Sequence, residues 1–223
     1  MSFNSTKDLK GEKVQLAVEY IKKKKMYLVV KRVLDVVFSL VLLTVLLIPM
    51  IVIALLIFLQ DFHSPFFLQE RVTKDKQLFK IIKFRSMYVN SKGSSVTSSN
   101  DTRITPIGSF IRKYRIDEFP QLINVLLGDM TFVGVRPEVL EYVEKYTDEM
   151  LVTLLLPAGI TSLASVKFKD ESEILNNSLL PADEAYIQEV LPKKMQYNIE
   201  YVFKFGFHED LRIILLTVKE VFF

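Results

Sequence analysis

The sequence contains one long apolar run, residues 36–59 (VVFSLVLLTVLLIPMIVIALLIFL), in which no residue is charged. A straight helix of that length would measure about 36 Å, which exceeds the roughly 30 Å hydrocarbon core of a bilayer. The run begins too late and is too long for a cleaved signal peptide. A buried core helix is the alternative, but core helices seldom extend this far without a polar face. The run therefore predicts a membrane segment.

Pro49 lies near the middle of this run, where a proline removes a backbone hydrogen bond and bends the helix. Basic residues flank the run on both sides, and they favour the cytoplasmic face of a membrane. They are Lys22, Lys23, Lys24, Lys25, Lys31 and Arg32 before it, and Arg71, Lys74, Lys76, Lys80, Lys83 and Arg85 after it. A helix that enters, bends at Pro49 and leaves by the same face satisfies both flanks. We therefore predict a re-entrant hairpin, with a true span as the alternative.

The composition excludes several kinds of catalytic site. The 223 residues include no cysteine, which rules out disulfides, thiol catalysis and zinc sites with cysteine ligands. Because His63 and His208 are the two histidines, neither a histidine-rich metal site nor a Ser-His-Asp triad is expected. The sequence also lacks a Walker loop, a dinucleotide-binding glycine motif, a zincin motif and a GxSxG motif.

The net charge of +3 conceals two opposed blocks. Residues 71–136 carry twelve Lys/Arg and five Asp/Glu, whereas residues 137–200 carry five Lys/Arg and twelve Asp/Glu. A basic block beside a membrane segment favours anionic lipid head groups, phosphates or both, although it could also be a solvated surface that pairs with the acidic block. A nucleic-acid binder is less well supported, because the aromatic residues do not alternate with the basic ones as a stacking platform requires.

Outside the apolar run, the residue patterns predict a helix-dominated α+β domain with a small β-hairpin. The predicted elements are an interfacial amphipathic helix over 12–30, hairpin strands over 66–72 and 77–87, a polar loop over 90–102, a helix capped by Thr105 before Pro106, a helix beginning at Asp117 or Glu118, and helices over 138–149 and 211–222. The second strand is predicted to present Phe79, Ile81, Lys83, Arg85 and Met87 on one face. The last helix is predicted to carry an apolar side made of Leu211, Ile214, Leu215, Val218 and Phe222.

Several segments together carry a family resemblance. They are KRVLD, SPFFLQERV, FKIIKFRSM, TPIGSFIRKYRIDEFPQLINVLLGDMTFVGVRPE and AGIT. In this order and spacing, from about residue 30 to the C-terminus, the sequence resembles the bacterial sugar transferase family. These are monotopic phosphoglycosyl transferases, which begin exopolysaccharide, capsule and O-antigen assembly. By itself, the Asp117-Glu118 pair would be interpreted as ordinary helix capping.

The resemblance implies transfer of a sugar-1-phosphate from a UDP-sugar to undecaprenyl phosphate, with release of UMP and a requirement for Mg²⁺. The family's acidic dyad falls on Asp117 and Glu118. The aspartate is expected to form a covalent phosphosugar intermediate, and both carboxylates are expected to take part in holding the metal. The family's phosphate-binding basic residues fall on Lys83, Arg85, Arg112 and Arg136.

Elementary chemistry agrees with these roles. A carboxylate that attacks a diphosphate meets a like charge, so cations must neutralise the phosphates and the leaving group. Mg²⁺ prefers oxygen ligands, and arginine binds phosphate oxygens through two parallel hydrogen bonds. A helix N-terminus at the dyad would add further donors and keep Asp117 ionised. A scaffold that binds polyprenyl phosphate without transfer is the alternative from another functional class.

The expected organisation has three parts: an interfacial segment over 1–30, a re-entrant membrane helix over 31–60 broken near Pro49, and a catalytic domain over 61–223. The expected location is the cytoplasmic face of the bacterial inner membrane, with membrane lipid as a partner and no nucleic acid. The oligomeric state stays open, with a homo-oligomer as one option.

Five positions depart from the family pattern. Val135 replaces a proline in the usual VGPRP, which puts the presentation of Arg136 in doubt. The usual PGITG reads PAGITS, with Ala158 inserted and Ser162 in place of glycine. His63 replaces a glycine before the first strand, and Phe119 replaces a leucine after the dyad. We expect an active enzyme, because none of these changes alters the dyad.

Overall fold

The computed structural model describes residues 12–89, 101–168 and 171–222, and the described chain is a helix-dominated α+β structure, as predicted. Its helices are α1 Glu12–Lys23, α2 Lys25–Asp61, α3 Pro106–Lys113, α4 Gln121–Leu127, α5 Leu140–Val143, α6 Leu163–Lys167, α7 Glu171–Asn177, α8 Ala182–Ala185, α9 Leu191–Lys204 and α10 Phe207–Phe222. Its strands are β1 Phe66–Val72, β2 Leu78–Phe84, β3 Met130–Val133 and β4 Ala158–Thr161. Most of the predicted polar loop, residues 90–100, lies outside the described residues.

The apolar run forms the greater part of α2, a helix of 37 residues. This helix is long and apolar enough to cross a membrane, yet only 6% of its most apolar stretch is buried in the protein. The alternative of a buried core helix is therefore wrong, and the exposed apolar surface indicates association with a membrane. Pro49 lies inside α2 without interrupting it, so the predicted reversal of direction at this residue stays a prediction.

The N-terminal part of α2 is attached to the globular domain by buried polar contacts. Lys31 forms an ion pair with Asp210 of α10, and Tyr27 donates a hydrogen bond to the same carboxylate at 2.6 Å. One turn later, Asp35 accepts a hydrogen bond from the Thr131 hydroxyl of β3 at 2.6 Å. These buried charges are all paired, as burial of a charge requires.

The C-terminal end of α2 contacts the same domain. Ile57 packs in a small core cluster with Phe84 of β2 and Ile111 of α3. Asp61, the last residue of the helix, forms an ion pair with Arg85 that includes a hydrogen bond of 2.6 Å from Nη2. The two ends of the apolar helix are therefore both held by one folded unit.

The predicted β-hairpin is confirmed. β1 and β2 pair antiparallel, and the 3₁₀ turn Lys74–Lys76 joins them. β2 ends at Phe84, earlier than the sequence pattern predicts. The predicted alternation holds for Phe79 and Ile81, whose side chains are buried, and ends with the strand, since Arg85 follows it.

The parallel pair β3–β4 was not predicted. Met130 pairs with Ala158 and Val133 with Thr161. Val135 extends the pairing, because its N–H donates to the carbonyl of Pro157 at 3.4 Å and its carbonyl accepts from the Gly159 N–H at 2.8 Å. A proline at position 135 could not make the first of these bonds.

The apolar faces of the terminal helices differ from their predicted roles. In α1, Val14 and Ala17 are buried against the main core, so this face is covered by protein and is not free to enter a membrane. In α10, Ile213 is fully buried, whereas Leu211 and Leu215 on the predicted apolar side are exposed. The stripe predicted from periodicity is therefore the outer face of α10.

The predicted acidic helix over 138–149 is reduced to the single turn α5. Its predicted inward residues Tyr142 and Val143 are nevertheless buried. Tyr142 stacks on Tyr186 with the ring centroids 4.5 Å apart, and this pair forms part of the wall of the cavity described next.

Candidate active site

The acidic pair lies on a short 3₁₀ turn between α3 and α4. α3 begins as predicted, because Thr105 Oγ1 accepts a hydrogen bond from the Gly108 N–H at 2.8 Å. After α3, Arg115 adopts a left-handed backbone with φ of 53°, and the turn Ile116–Glu118 follows. The prediction that a helix begins at Asp117 or Glu118 is wrong, since α4 begins at Gln121. Pro120 follows the acidic pair and has no backbone N–H to donate to a helix. The main chain changes direction both before Asp117 and after Glu118.

The two carboxylates face different spaces. Asp117 lines a cavity of about 700 Å³, the larger of the two we describe. Glu118 lines a chamber of about 20 Å³ instead. Lys83 and Arg136 contribute to the walls of both spaces. The pair is therefore divided between a substrate-sized space and a water-sized one.

Burial dominates the electrostatics of Asp117. Desolvation raises its pKa to about 6, with a further increase from the neighbouring charge of Glu118. Lys83 and Arg112 act in the opposite direction without cancelling this effect. The expectation that a helix N-terminus keeps Asp117 ionised is not met in that form, because the pair lies on a 3₁₀ turn and the pKa is raised. At neutral pH a carboxyl with this pKa is still about nine-tenths ionised, and its poor solvation makes it more basic than an exposed aspartate.

The pKa of Glu118 shifts in the opposite direction to that of Asp117. Burial alone would raise its pKa, but Lys83, Arg136 and Arg115 outweigh burial and hold the pKa below its usual value. Lys83 Nζ lies 3.2 Å from Glu118 Oε1. Glu118 is therefore a fixed negative charge, whereas Asp117 is a poorly solvated carboxylate.

All four predicted phosphate-binding residues line the large cavity. Lys83 is paired with Glu118, whereas the guanidinium groups of Arg112 and Arg136 make few hydrogen bonds. Within the described part of the chain, the Arg112 guanidinium donates no hydrogen bond, and the Arg136 guanidinium donates only to Ser165 Oγ, at 3.3 Å. Ser165 is in turn held by Ser162, which caps α6 by accepting the Ser165 N–H at 2.9 Å. The Ser162 departure thus supports Arg136.

Arg85 lines the same cavity but is already engaged. Its guanidinium binds both carboxylate oxygens of Asp61 and donates to the carbonyl of Ser64 at 2.8 Å. Only 8% of the residue is exposed. Arg85 therefore links α2 to the end of β2, and its guanidinium donors are engaged by protein groups.

A second group of cavity residues was not predicted as part of the site. Glu138 accepts a hydrogen bond from Tyr186 at 2.8 Å and lies 3.2 Å from the Lys194 ammonium group. Arg71 lies 3.7 Å from the other Glu138 oxygen. Arg71 and Glu138 lie within the segments that carry the family resemblance, so the sequence could have identified them as candidate site residues. Lys194 and Tyr186 come from later helical turns that have no such signal.

The site fits a metal that arrives with a phosphate ligand rather than a permanent metal centre. Among the described residues, no group of three or more His, Cys, Asp or Glu side chains could hold an ion. Asp117 and Glu118 are two adjacent carboxylates, and Mg²⁺ commonly binds through one or two carboxylates together with substrate phosphates. The donor set present is therefore compatible with Mg²⁺ once a diphosphate is bound.

Two known proteins are similar in sequence to this chain over most of its length. It is 31% identical over 200 residues to the UDP-N-acetylgalactosamine-undecaprenyl-phosphate N-acetylgalactosaminephosphotransferase of Aeromonas hydrophila, covering 87% of this chain and 44% of that protein. It is 31% identical over 198 residues to the UDP-glucose:undecaprenyl-phosphate glucose-1-phosphate transferase of Escherichia coli (strain K12), covering 86% and 40%.

A Bacillus subtilis (strain 168) protein, provisionally named an undecaprenyl-phosphate N-acetylgalactosaminyl 1-phosphate transferase, is 43% identical over 126 residues, covering 56% of this chain and 70% of that protein. The chain thus spans less than half the length of the two longer relatives. The sequence model of the bacterial sugar transferases matches residues 26–223, which include all of α2 except its first residue and every residue of the site. The chain therefore belongs to the bacterial sugar transferase family.

Proposed function

We propose that this protein transfers a sugar-1-phosphate from a UDP-sugar to undecaprenyl phosphate and releases UMP. The observation that carries the proposal is Asp117, a poorly solvated carboxylate that faces a cavity of about 700 Å³ beside three cationic side chains. The relatives named above act on UDP-sugars and undecaprenyl phosphate, according to their names. The reaction would be the first membrane step of exopolysaccharide, capsule or O-antigen synthesis.

In the first step, an Asp117 carboxylate oxygen attacks the phosphorus that carries the sugar. The bond from this phosphorus to the oxygen shared with UMP breaks, and UMP leaves with the electron pair. In the second step, a phosphate oxygen of undecaprenyl phosphate attacks the same phosphorus and the Asp117 carboxylate leaves. Two simple displacements at one phosphorus suit a site that receives its two substrates separately.

The cationic side chains have distinct tasks in these steps. Lys83 lies against Glu118 and lowers the pKa of Asp117, so it helps to keep both carboxylates ionised. Arg112 and Arg136 are available to hold phosphate oxygens and to neutralise the charge that develops on UMP. Asp117 would hold Mg²⁺ in the large cavity together with the diphosphate, with Glu118 as a fixed negative charge beside it, and the ion would supply further neutralisation of phosphate charge.

The attachments of α2 support a re-entrant topology. Asp35 and Asp61 bond to the same folded domain, at β3 and at Arg85, and the apolar middle of α2 between them is exposed. A single span would place these two ends on opposite faces of a bilayer about 30 Å thick. A helix that bends at Pro49 leaves both ends on the face where the domain lies, at the level of the lipid phosphate.

Reporter tags fused to the two termini should therefore both be found in the cytoplasm. We expect a cysteine-reactive or proteolytic probe added to intact spheroplasts to leave both tags unmodified, and to modify both after lysis. An N-terminal tag that is modified before lysis would establish a true span instead.

The function itself is tested by UMP release from purified protein in detergent with Mg²⁺, undecaprenyl phosphate and a panel of UDP-sugars. We expect at least one donor to release UMP in an amount that depends on undecaprenyl phosphate. If no donor in a broad panel does so while the protein still binds polyprenyl phosphate, the protein is a lipid-phosphate scaffold and the proposal is wrong.

Arg112 and Arg85 provide a matched comparison of two cavity arginines. Arg112→Ala should raise the KM for the UDP-sugar by roughly 10- to 100-fold, the value of a charge-assisted bond to phosphate, while leaving the melting temperature unchanged. Arg85→Ala should lower the melting temperature, because it disconnects α2 from β2, and should leave KM nearly unchanged. A reversed pattern would show that Arg85 binds the donor and Arg112 does not.

A further inference from the structure

Gln121 is a buried amide without a hydrogen-bond partner. It is the first residue of α4, three positions after Glu118, and only 1% of it is exposed. Within the described structure, its Nε2 makes no hydrogen bond. Buried polar groups are almost always satisfied, and an unsatisfied one commonly marks an unseen water or ion.

The amide lines the chamber of about 20 Å³ that also borders Glu118. A cavity needs roughly 10–15 Å³ of such volume to hold one water molecule, so this chamber has room for one and not for a substrate. Gly159 forms part of the wall, and a Cβ placed on it would lie 2.2 Å from the Gly134 nitrogen. At Gly159 the wall is therefore backbone packed closely against the backbone of Gly134.

The charges around the chamber favour water over an ion. Arg71, Arg136 and Lys83 border it and would repel a cation, while Glu118 would repel an anion. Water alone meets both requirements of the polar groups, since it accepts from the Gln121 N–H and donates to a carboxylate oxygen.

We infer that the chamber holds one ordered water molecule that links Gln121 Nε2 to the carboxylate of Glu118, and that Gln121 is a positioning residue for Glu118. Glu118 is then held from two directions. Lys83 binds Oε1 on the side of the large cavity, and the water binds the carboxylate from behind. The kinetic consequence rests on the proposed function, whereas the presence of the water does not.

The structural arm of the test is a high-resolution crystal structure of the full-length protein. We expect electron density for a water within hydrogen-bond distance of both Gln121 Nε2 and a Glu118 oxygen. In Gln121→Met, a side chain of similar length without the amide, this water should be lost. An empty chamber in the wild-type protein would overturn the inference.

The kinetic arm compares Gln121→Met with a matched control. Asn198→Leu is the control, because Asn198 is also fully buried and its Oδ1 lacks a partner, yet it does not border the chamber. We expect Gln121→Met to lower kcat about tenfold with the KM for the UDP-sugar within twofold, and Gln121→Asn to restore most of kcat. Asn198→Leu should leave kcat unchanged.

The outcomes separate the inference from the proposed function. A wild-type protein that releases no UMP but holds the water would defeat the proposed function and leave the water site established. An unchanged kcat in a folded Gln121→Met protein would overturn the positioning role. An equal loss of kcat in Gln121→Met and Asn198→Leu would also overturn it, since general destabilisation would then explain both losses.

Discussion

Replacement of Asp117 by asparagine should abolish the transfer of sugar phosphate, with UMP release at least about 1000-fold slower than in the wild-type protein. The amide is nearly isosteric with the carboxylate and can still accept a hydrogen bond, but it has no anionic oxygen to attack phosphorus. Loss of a nucleophile commonly removes several orders of magnitude in rate, because the alternative is direct attack by the second substrate. Binding of the UDP-sugar should persist, since Arg112 and Arg136 remain.

The covalent intermediate gives a second readout. Wild-type protein incubated with the donor and without undecaprenyl phosphate should gain the mass of one sugar phosphate, and the adduct should disappear on addition of the acceptor. Asp117→Asn should gain no mass. Asp148→Asn is a suitable control, since Asp148 is an exposed carboxylate outside the cavity. An Asp117→Asn protein that turns over at the wild-type rate would refute nucleophilic catalysis by this residue.

Much of the framework could be predicted from local patterns. The uncharged run predicts α2, the alternation after Pro65 predicts β1 and β2, and the Thr105-Pro106 pair predicts the start of α3. These features follow from periodicity, side-chain capping and backbone restriction, all of which act between residues close in sequence. The acidic pair was identified differently, through the family resemblance, because by itself it would be interpreted as ordinary helix capping.

The chemical state of the site could not be predicted, because it depends on contacts between distant segments. Asp117 and Glu118 are adjacent in sequence, yet their pKa values move in opposite directions, since Glu118 meets Lys83 and Arg136 while Asp117 is mainly desolvated. Arg85 belongs to a basic motif, but its guanidinium forms an ion pair with Asp61, 24 residues away. No local pattern reveals which partner a charged side chain will find.

The parallel pair β3–β4 was missed for a related reason. Each strand has only four residues, which is too short for a clear alternation, and the two strands are separated by α5 and the turn Met150–Leu155. The sequence predicted the apolar side of α10 but not whether other parts of the protein cover it. Periodicity shows that Leu211 and Leu215 share a side of the helix, and only the tertiary structure shows that this side is exposed.

The opposite pKa directions of the two carboxylates lead to opposite effects on stability. The pKa of Asp117 is raised from 3.8 to about 6, so the folded state binds this proton more tightly than the unfolded state does. This contribution to stability is fully present below about pH 4 and is lost as the pH rises through about 6. Asp117→Asn should therefore unfold at a higher temperature than the wild-type protein at neutral pH. The gain in free energy of unfolding should be about 1 to 3 kcal/mol.

Glu118→Gln should have the reverse effect at the same pH. The pKa of Glu118 is lowered in the folded protein, so its charge stabilises the fold at neutral pH and its protonation on acidification removes that contribution. An amide at this position leaves Lys83 and Arg136 facing each other without the carboxylate between them. The melting temperature should fall, although both variants lose activity.

Melting temperatures measured in detergent with EDTA, between about pH 4.5 and 7.5, would check both directions without a contribution from metal binding. The advantage of Asp117→Asn over the wild-type protein should grow as the pH rises, because the charge that it removes exists only at higher pH. The disadvantage of Glu118→Gln should stay nearly constant across this range and shrink only below about pH 4.5, as the pH falls through the lowered pKa of Glu118. If the two amide variants shift the melting temperature in the same direction at pH 7.5, the two carboxylates do not have the opposed environments found here, and Asp117 is not a desolvated nucleophile.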